Sequence, residues 1–367
     1  MTFISLNNIG PQVSETQLPL EARLALDKSH LERELRLLNQ SHRLDQGLLD
    51  LQKEYQRQIL ALVGENTYQA NIEQWKGLRA RFARLIERTA LTSENDNKIK
   101  EMRRALLEEK HAFYHNLGFD IKAALDIRTQ IKAKVTRLRI RTLLSDLAMP
   151  LDDAAPEPEP VDNPWTWRFP PYAHQWSSIV SSYGTAGTVM RSASSNGNTG
   201  EVKLDSWIEL VGASDSDYLK TDLMSEVGFW FQMPAAGMLE VWAWYQDINT
   251  DYTGYLADES GCSDAEVHQL SRQYLWTLGS TERYFTAFEK KYGEDDEGSL
   301  AEYLSNPGFI IPRHFLSNKA YAAGEWVYAS VGVRDFNYFW VNDMSCRSRM
   351  TSQYFVKQAA VRSTGAP

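Results

Sequence analysis

Apolar positions over residues 20–149 recur at steps of three and four, the spacing of an amphipathic helix. The first run passes through Leu31, Leu35, Leu38, Leu44, Leu48, Leu51, Tyr55, Ile59 and Leu62, with a skip at residues 40–43. Pro19 suits a first helical turn and Gly64 a helix end, which predicts one helix over about 19–63. Tyr68, Ile72, Trp75, Leu78, Phe82 and Leu85 predict a second helix. Ser93 with Asp96 opens a third, which continues to Leu117. Asp120 is placed to cap a fourth, carrying Ile121, Leu125, Ile131, Val135 and Leu138. Short breaks between such helices predict a helical bundle or coiled coil, and the length of the first leaves an apolar seam for self-association into a homo-oligomer.

Beyond residue 200 the period changes to two. Trp242 and Trp244 alternate with Val241, Ala243 and Tyr245, and Trp326 and Tyr328 with Val327, Ala329 and Val331. Alternation with this aromatic and β-branched content predicts strands near 201–211, 227–233, 238–248, 267–278, 308–316, 324–334 and 353–362. Pro234–Gly237 reads as a hairpin turn, and 281–306 as a helical excursion. The predicted fold class is α + β multidomain, an N-terminal helical bundle or coiled coil followed by an antiparallel, jelly-roll-like β-sandwich.

Composition supplies the boundary. Residues 20–149 hold no proline, whereas 7 of the 13 prolines lie between Pro150 and Pro171, around the acidic run DDAAPEPEPVD. The expected division is an N-terminal tail at 1–18, helices at 19–149, a proline-rich linker at 150–171 and the sandwich at 172–367. Charge follows the same division: residues 1–150 carry a net +5 and the remainder −14, together giving −9. So acidic a second half argues against nucleic-acid binding. No apolar stretch is long enough to predict a membrane-spanning helix. The opening residues lack a basic-then-apolar leader pattern, and only Cys262 and Cys346 are present, so a cytoplasmic location is expected.

Candidate chemistry is sparse. Phosphate-loop, HExxH and GxSxG patterns are absent from the sequence. Glu108, His111 and His115 have metal-like spacing, but they fall away from the apolar seam of their helix. Asp247, Asn249, Asp251 and Asp258 resemble the alternating oxygen ligands of a calcium loop, with Tyr252 where the loop requires glycine. Arg347 and Arg349 share a strand face, where carboxylate partners are expected.

Ten of the 11 tryptophans lie beyond residue 160, and most strand positions among them read as sandwich core. The group Trp165–Trp176 is irregular enough to dock the linker onto the sheets. The stretch Asp335–Asp343 interleaves aromatic and amide side chains, and is the predicted recognition loop, with Asp335, Asn337, Tyr338, Trp340, Asn342 and Asp343 as ligand-binding residues. These patterns predict a non-enzymatic binding protein whose helices assemble it and whose sandwich recognises a ligand, carbohydrate first and a protein partner next. The alternatives are a polysaccharide-active hydrolase, which needs two carboxylates about 5–10 Å apart in a groove, and a membrane-acting, toxin-like protein.

Overall fold

The computed structural model describes residues 18–70, 120–143, 165–184, 187–210, 217–258, 264–292, 298–303, 310–342 and 344–364, with a few isolated positions between. The helices predicted at 68–85 and 93–117 lie almost wholly outside this set. So do His111, Cys262 and Asp343, while Glu108 and His115 are exposed.

Helix α1, Leu20–Val63, starts after Pro19 and ends at Gly64, whose φ of 77° is readily adopted by glycine. Helix α2, Ile121–Leu143, is capped by Asp120, which accepts from the Ala123 amide at 3.0 Å. Lys134 meets Glu54, and Leu138 covers Gly47, so the two helices run antiparallel. A β-carbon at Gly47 would come within 2.6 Å of Leu138, so the missing side chain permits this approach.

Twelve strands are described: β1 (Thr166–Arg168), β2 (His174–Gly184), β3 (Thr188–Asn196), β4 (Glu201–Leu210), β5 (Asp217–Gln232), β6 (Gly237–Asp258), β7 (Asp264–Thr277), β8 (Arg283–Tyr292), β9 (Gly298–Tyr303), β10 (Ile310–Tyr321), β11 (Trp326–Asn342) and β12 (Met344–Ser363). They form two antiparallel sheets. The first has the order β10-β6-β12-β4-β3, with β9 beside the far half of β6 and β1 beside the end of β12. The second has the order β2-β5-β11-β7-β8.

Strand periodicity decides the core. Leu239, Val241, Ala243 and Tyr245 of the first sheet meet Val227, Phe229, Val331 and Val333 of the second, each essentially free of solvent contact. A second apolar layer, with Ile208, Leu219, Val267, Phe339 and Cys346, closes one end. Between them lies a polar layer. Asn337 donates to Ser206 and accepts from Ser348, Gln269 donates to Ser348, and Ser206 pairs with Thr221 at 2.5 Å.

Helix α1 lies on the outer face of the second sheet. Leu26 and Leu37 pack with Trp230, Tyr274, Trp276 and Tyr328, and further along Leu44, Leu48, Tyr55 and Ile59 pack with Phe336, Tyr338 and Trp340. Buried ion pairs cross the same interface. Arg33 bonds Glu226 and Glu282 at 2.7 Å each, and Lys220 bonds Asp45 at 2.6 Å.

Several expectations are corrected. Residues 227–233 and 238–248 are not a hairpin, because β5 and β6 belong to opposite sheets and Pro234–Gly237 carries the chain across the sandwich. The helical excursion at 281–306 is replaced by β8 and β9. Strand β1 falls inside the stretch read as linker. Strands β2 and β3 were missed because edge position leaves the serine-rich segments HQWSSIVSSYG and TVMRSASSN with little apolar alternation.

Candidate functional site: an aromatic ladder on the outer face of the first sheet

The pleat that buries Val241, Ala243 and Tyr245 sends Glu240, Trp242 and Trp244 to the opposite face. That face lies away from α1, which covers the other sheet. The register assembles a row across four strands. His314 of β10 stands opposite Trp242, Trp242 opposite Ala360 of β12, and Ala360 opposite Trp167 of β1. Ala360 is the small residue of the row, and Trp167 beyond it meets Trp244, the neighbour of Trp242 on the same face of β6.

The result is a continuous run of rings from Phe169 through Trp167, Trp244 and Trp242 to His314. Successive centroids are 6.4, 5.4, 6.1 and 4.8 Å apart. Phe169 and Trp167 lie within 19° of parallel, and Trp242 and His314 within 29°. Trp167, Phe169 and Trp244 are half-buried, so each keeps ring surface in contact with solvent, while Trp242 is buried.

Polar groups line one side of the ladder. Glu240, only 7% exposed, accepts from His314 Nε2 at 2.7 Å and from Arg362 Nε at 2.6 Å. Burial alone would raise its pKa, but His314 and Arg362 outweigh burial and hold the carboxyl below its ordinary value. The Arg362 guanidinium lies 4.3 Å over Trp165, which adds a sixth aromatic ring at the edge. The indole N–H groups of Trp165 and Trp242 are buried and make no hydrogen bond. An ionised acceptor and a guanidinium beside apolar ring faces suit a neutral molecule with both hydroxyls and C–H faces.

The predicted recognition stretch does not form a surface loop. Residues 335–342 belong to β11, the middle strand of the second sheet. Asp335 and Asn337 point into the sandwich, at 1% and 0% exposure, whereas Tyr338 and Trp340 are buried beneath α1. Asn342 ends the strand. The interleaving that resembled a loop is the alternation of a strand buried on both faces, polar toward the polar layer and aromatic toward the helix.

The calcium pattern is likewise a strand. Asp247, Asn249, Asp251 and Asp258 all fall within β6, where alternate residues stand roughly 7 Å apart instead of wrapping one cation. Asp247 is occupied by Thr250 at 2.8 Å and Asp251 by Arg349 at 3.5 Å. Among the described residues no group of three or more histidine, cysteine or acidic side chains could hold a metal ion. Arg347 and Arg349 do find carboxylates, Glu209 and Asp251. Cys346 is a free thiol inside the sandwich, and burial pushes its pKa far up.

Sequence reasoning noticed Trp242 and Trp244 but assigned most strand tryptophans to the core, and it missed Glu240, His314 and Arg362. The distinguishing signal was the phase of β6. Val241, Ala243 and Tyr245 already supply one complete buried face, so the indoles between them belong to the other.

No family model matches the chain, and no curated protein matches it. Among solved structures the chain is similar to TmCBM61 in complex with beta-1,4-galactotriose, with 14% identity, 48% of this chain and 88% of that chain covered, and a TM-score of 0.16. A superposition with that score carries no argument about fold or ligand.

Proposed function

We propose that the chain is a carbohydrate-binding protein whose site is the aromatic ladder formed by Trp167, Trp244 and Trp242. The observation that supports this reading is the run of rings beside Glu240 and Arg362, with Trp167, Phe169 and Trp244 in contact with solvent and Trp242 buried behind them, on the face not covered by α1. The C–H face of a pyranose packs on an indole, and its hydroxyls take the carboxylate and guanidinium as partners. Several rings in series suit an extended oligosaccharide over a single sugar. Glu240 is held ionised by its bonds to His314 and the Arg362 guanidinium, so it acts as a hydrogen-bond acceptor and is poorly suited to donate the proton that glycoside hydrolysis requires. A glycan array probed with the intact chain and with Trp244→Ala tests the proposal. Binding to neutral oligosaccharides that disappears in the variant is expected; an array on which the intact chain binds nothing refutes it.

The outer side of α1 supports an assembly role. Leu20, Leu24, Leu31, Leu35 and Leu38 are 51–61% exposed and fall within an arc of about 60°. They form a contiguous exposed apolar stripe over 19 residues of helix, the kind of patch that marks an interaction surface. The proposed occupant is the same stripe of a second copy. Light scattering on the intact chain should give a multiple of 42.0 kDa, collapsing to the monomer mass when Leu31 and Leu35 become glutamate. A monomeric intact chain removes this part of the proposal.

A further inference from the structure

One end of the ladder adjoins a narrow cleft. Beyond β1 the chain turns toward β2, and Arg168, Phe169, Pro171 and Tyr172 of this stretch line the cleft together with Phe229 and Trp230 of β5. Phe169 is shared, being both the end ring of the ladder and part of the cleft. The cleft has about 10 Å³ of free space, room for one oxygen-sized group.

Arg168 is the unusual residue there. It pairs in register with Ala359, a core residue, so its side chain turns inward while its neighbour Trp167 joins the ladder. It is 7% exposed, and its hydrogen bonds go to two backbone carbonyls, from Nη1 to Trp167 at 3.2 Å and from Nη2 to Trp230 at 3.4 Å. No carboxylate pairs with it among the described residues. Arg33 and Arg272, the other arginines buried to this extent among the described residues, both have acidic side chains acting on them. On Arg168 burial alone acts, and it lowers the pKa. The Nε of Arg168 makes no hydrogen bond and, unlike that of Arg272, is not sealed from solvent. A guanidinium in this position, with donors to spare beside an open cleft, lacks an anion.

We infer that the ligand of the ladder is an acidic oligosaccharide, with a uronic-acid unit at the Phe169 end whose carboxylate is received by Arg168. This rests on the carbohydrate reading of the ladder and narrows its ligand. One carboxylate oxygen enters the cleft and accepts from the guanidinium, the ring of that unit rests on Phe169, and neutral units continue over Trp167 and Trp244. On the other side of the ladder Arg362 is already taken by Glu240, so Arg168 is the guanidinium that still lacks a carboxylate. The chain beyond residue 150 carries a net −14, so a gain for an acidic glycan has to come from this local cation against the general field.

The test is an array pairing uronic-acid-bearing oligosaccharides with the same glycans after reduction of the carboxyl to the neutral alcohol, followed by calorimetric titration of the best pair into the intact chain at fixed ionic strength. The acidic member should bind at least about tenfold more tightly than its neutral counterpart. In Arg168→Met, shown folded by circular dichroism, that ratio should fall to about one. If Arg168→Met does not fold, Arg168→Lys takes its place, and the ratio should drop severalfold because an ammonium does not reproduce the guanidinium fork. Equal or tighter binding of the neutral member by the intact chain overturns the inference, as does a ratio unchanged in the folded variant. Neutral glycans that bind and are lost in Trp244→Ala, with no advantage for the acidic members, overturn this inference and leave the carbohydrate reading standing. An array on which nothing binds overturns both.

Discussion

Replacing Asp335 with asparagine should stabilise the protein, and only above acidic pH. Asp335 stands in the polar layer of the sandwich, 1% exposed, with neither carboxyl oxygen in full hydrogen-bond geometry. Burial raises its pKa from 3.8 to about 7, only partly offset by the nearby Ser271 and Ser352 hydroxyls, and the Asp222 and Asp205 carboxylates add to the rise. The folded protein therefore holds a proton that the unfolded chain releases near pH 4. Stability tied to that proton is complete below pH 4, declines as pH rises to about 7, and stays lost above it. At 1.36 kcal/mol per tenfold, the loss amounts to about 4 kcal/mol. Asparagine has the same shape and is neutral at every pH, so the difference in unfolding free energy between variant and parent isolates this group from all others. Urea unfolding followed by tryptophan fluorescence at pH 4, 6 and 8 should show near equality at pH 4 and a gain of about 4 kcal/mol for Asp335→Asn at pH 8. A difference that does not change with pH, or a less stable variant at pH 8, refutes the reasoning.

Other consequences follow from the helix–sheet interface and the helix caps. Arg33→Ala leaves Glu226 and Glu282 buried without their shared countercharge and should cost about 3–5 kcal/mol at pH 7 by denaturant unfolding. The parent holds Glu282 near pKa 2, below its ordinary 4.5, so stability from this carboxylate is present above pH 4.5 and fades as pH falls toward 2. In the variant the deficit should shrink on acidification, which the same titration reads. Asp120→Ala removes the α2 cap and should cost about 1 kcal/mol, seen as a small drop in thermal midpoint. Addition or chelation of calcium should leave the melting curve unmoved, because the oxygen-bearing residues of β6 are spread along a strand.

For the two helices among the described residues, the boundaries were the most legible feature. Pro19, Gly64 and Asp120 each act locally, and the elements they bound start and stop within a residue of expectation. Strand existence was legible wherever one face alternates, as in β4, where Val202, Leu204, Ser206, Ile208 and Leu210 are all buried. Sheet membership was not. Pro234–Gly237 carries ordinary turn residues, and nothing local distinguishes a hairpin from a crossing between sheets. The same limit concealed the site. Trp167, Trp242 and His314 are separated by 75 and 72 residues, and only the pairing of β1, β12, β6 and β10 places them in one row. β11 misled for another reason. It is buried on both faces, with helix on one side and a polar layer on the other, so Asp335 and Asn337 give it the composition of a loop.

The central claim is that the outer face of the first sheet binds carbohydrate through its aromatic ladder. Its most direct test is a calorimetric titration of the highest-ranking neutral oligosaccharide from the array into the intact chain, Trp167→Ala and Trp244→Ala, with circular dichroism showing all three folded. Each lost stacking platform should weaken binding by about 1–2 kcal/mol, roughly five- to thirtyfold. Unchanged affinity in both variants would contradict the account and place any sugar site elsewhere on the molecule.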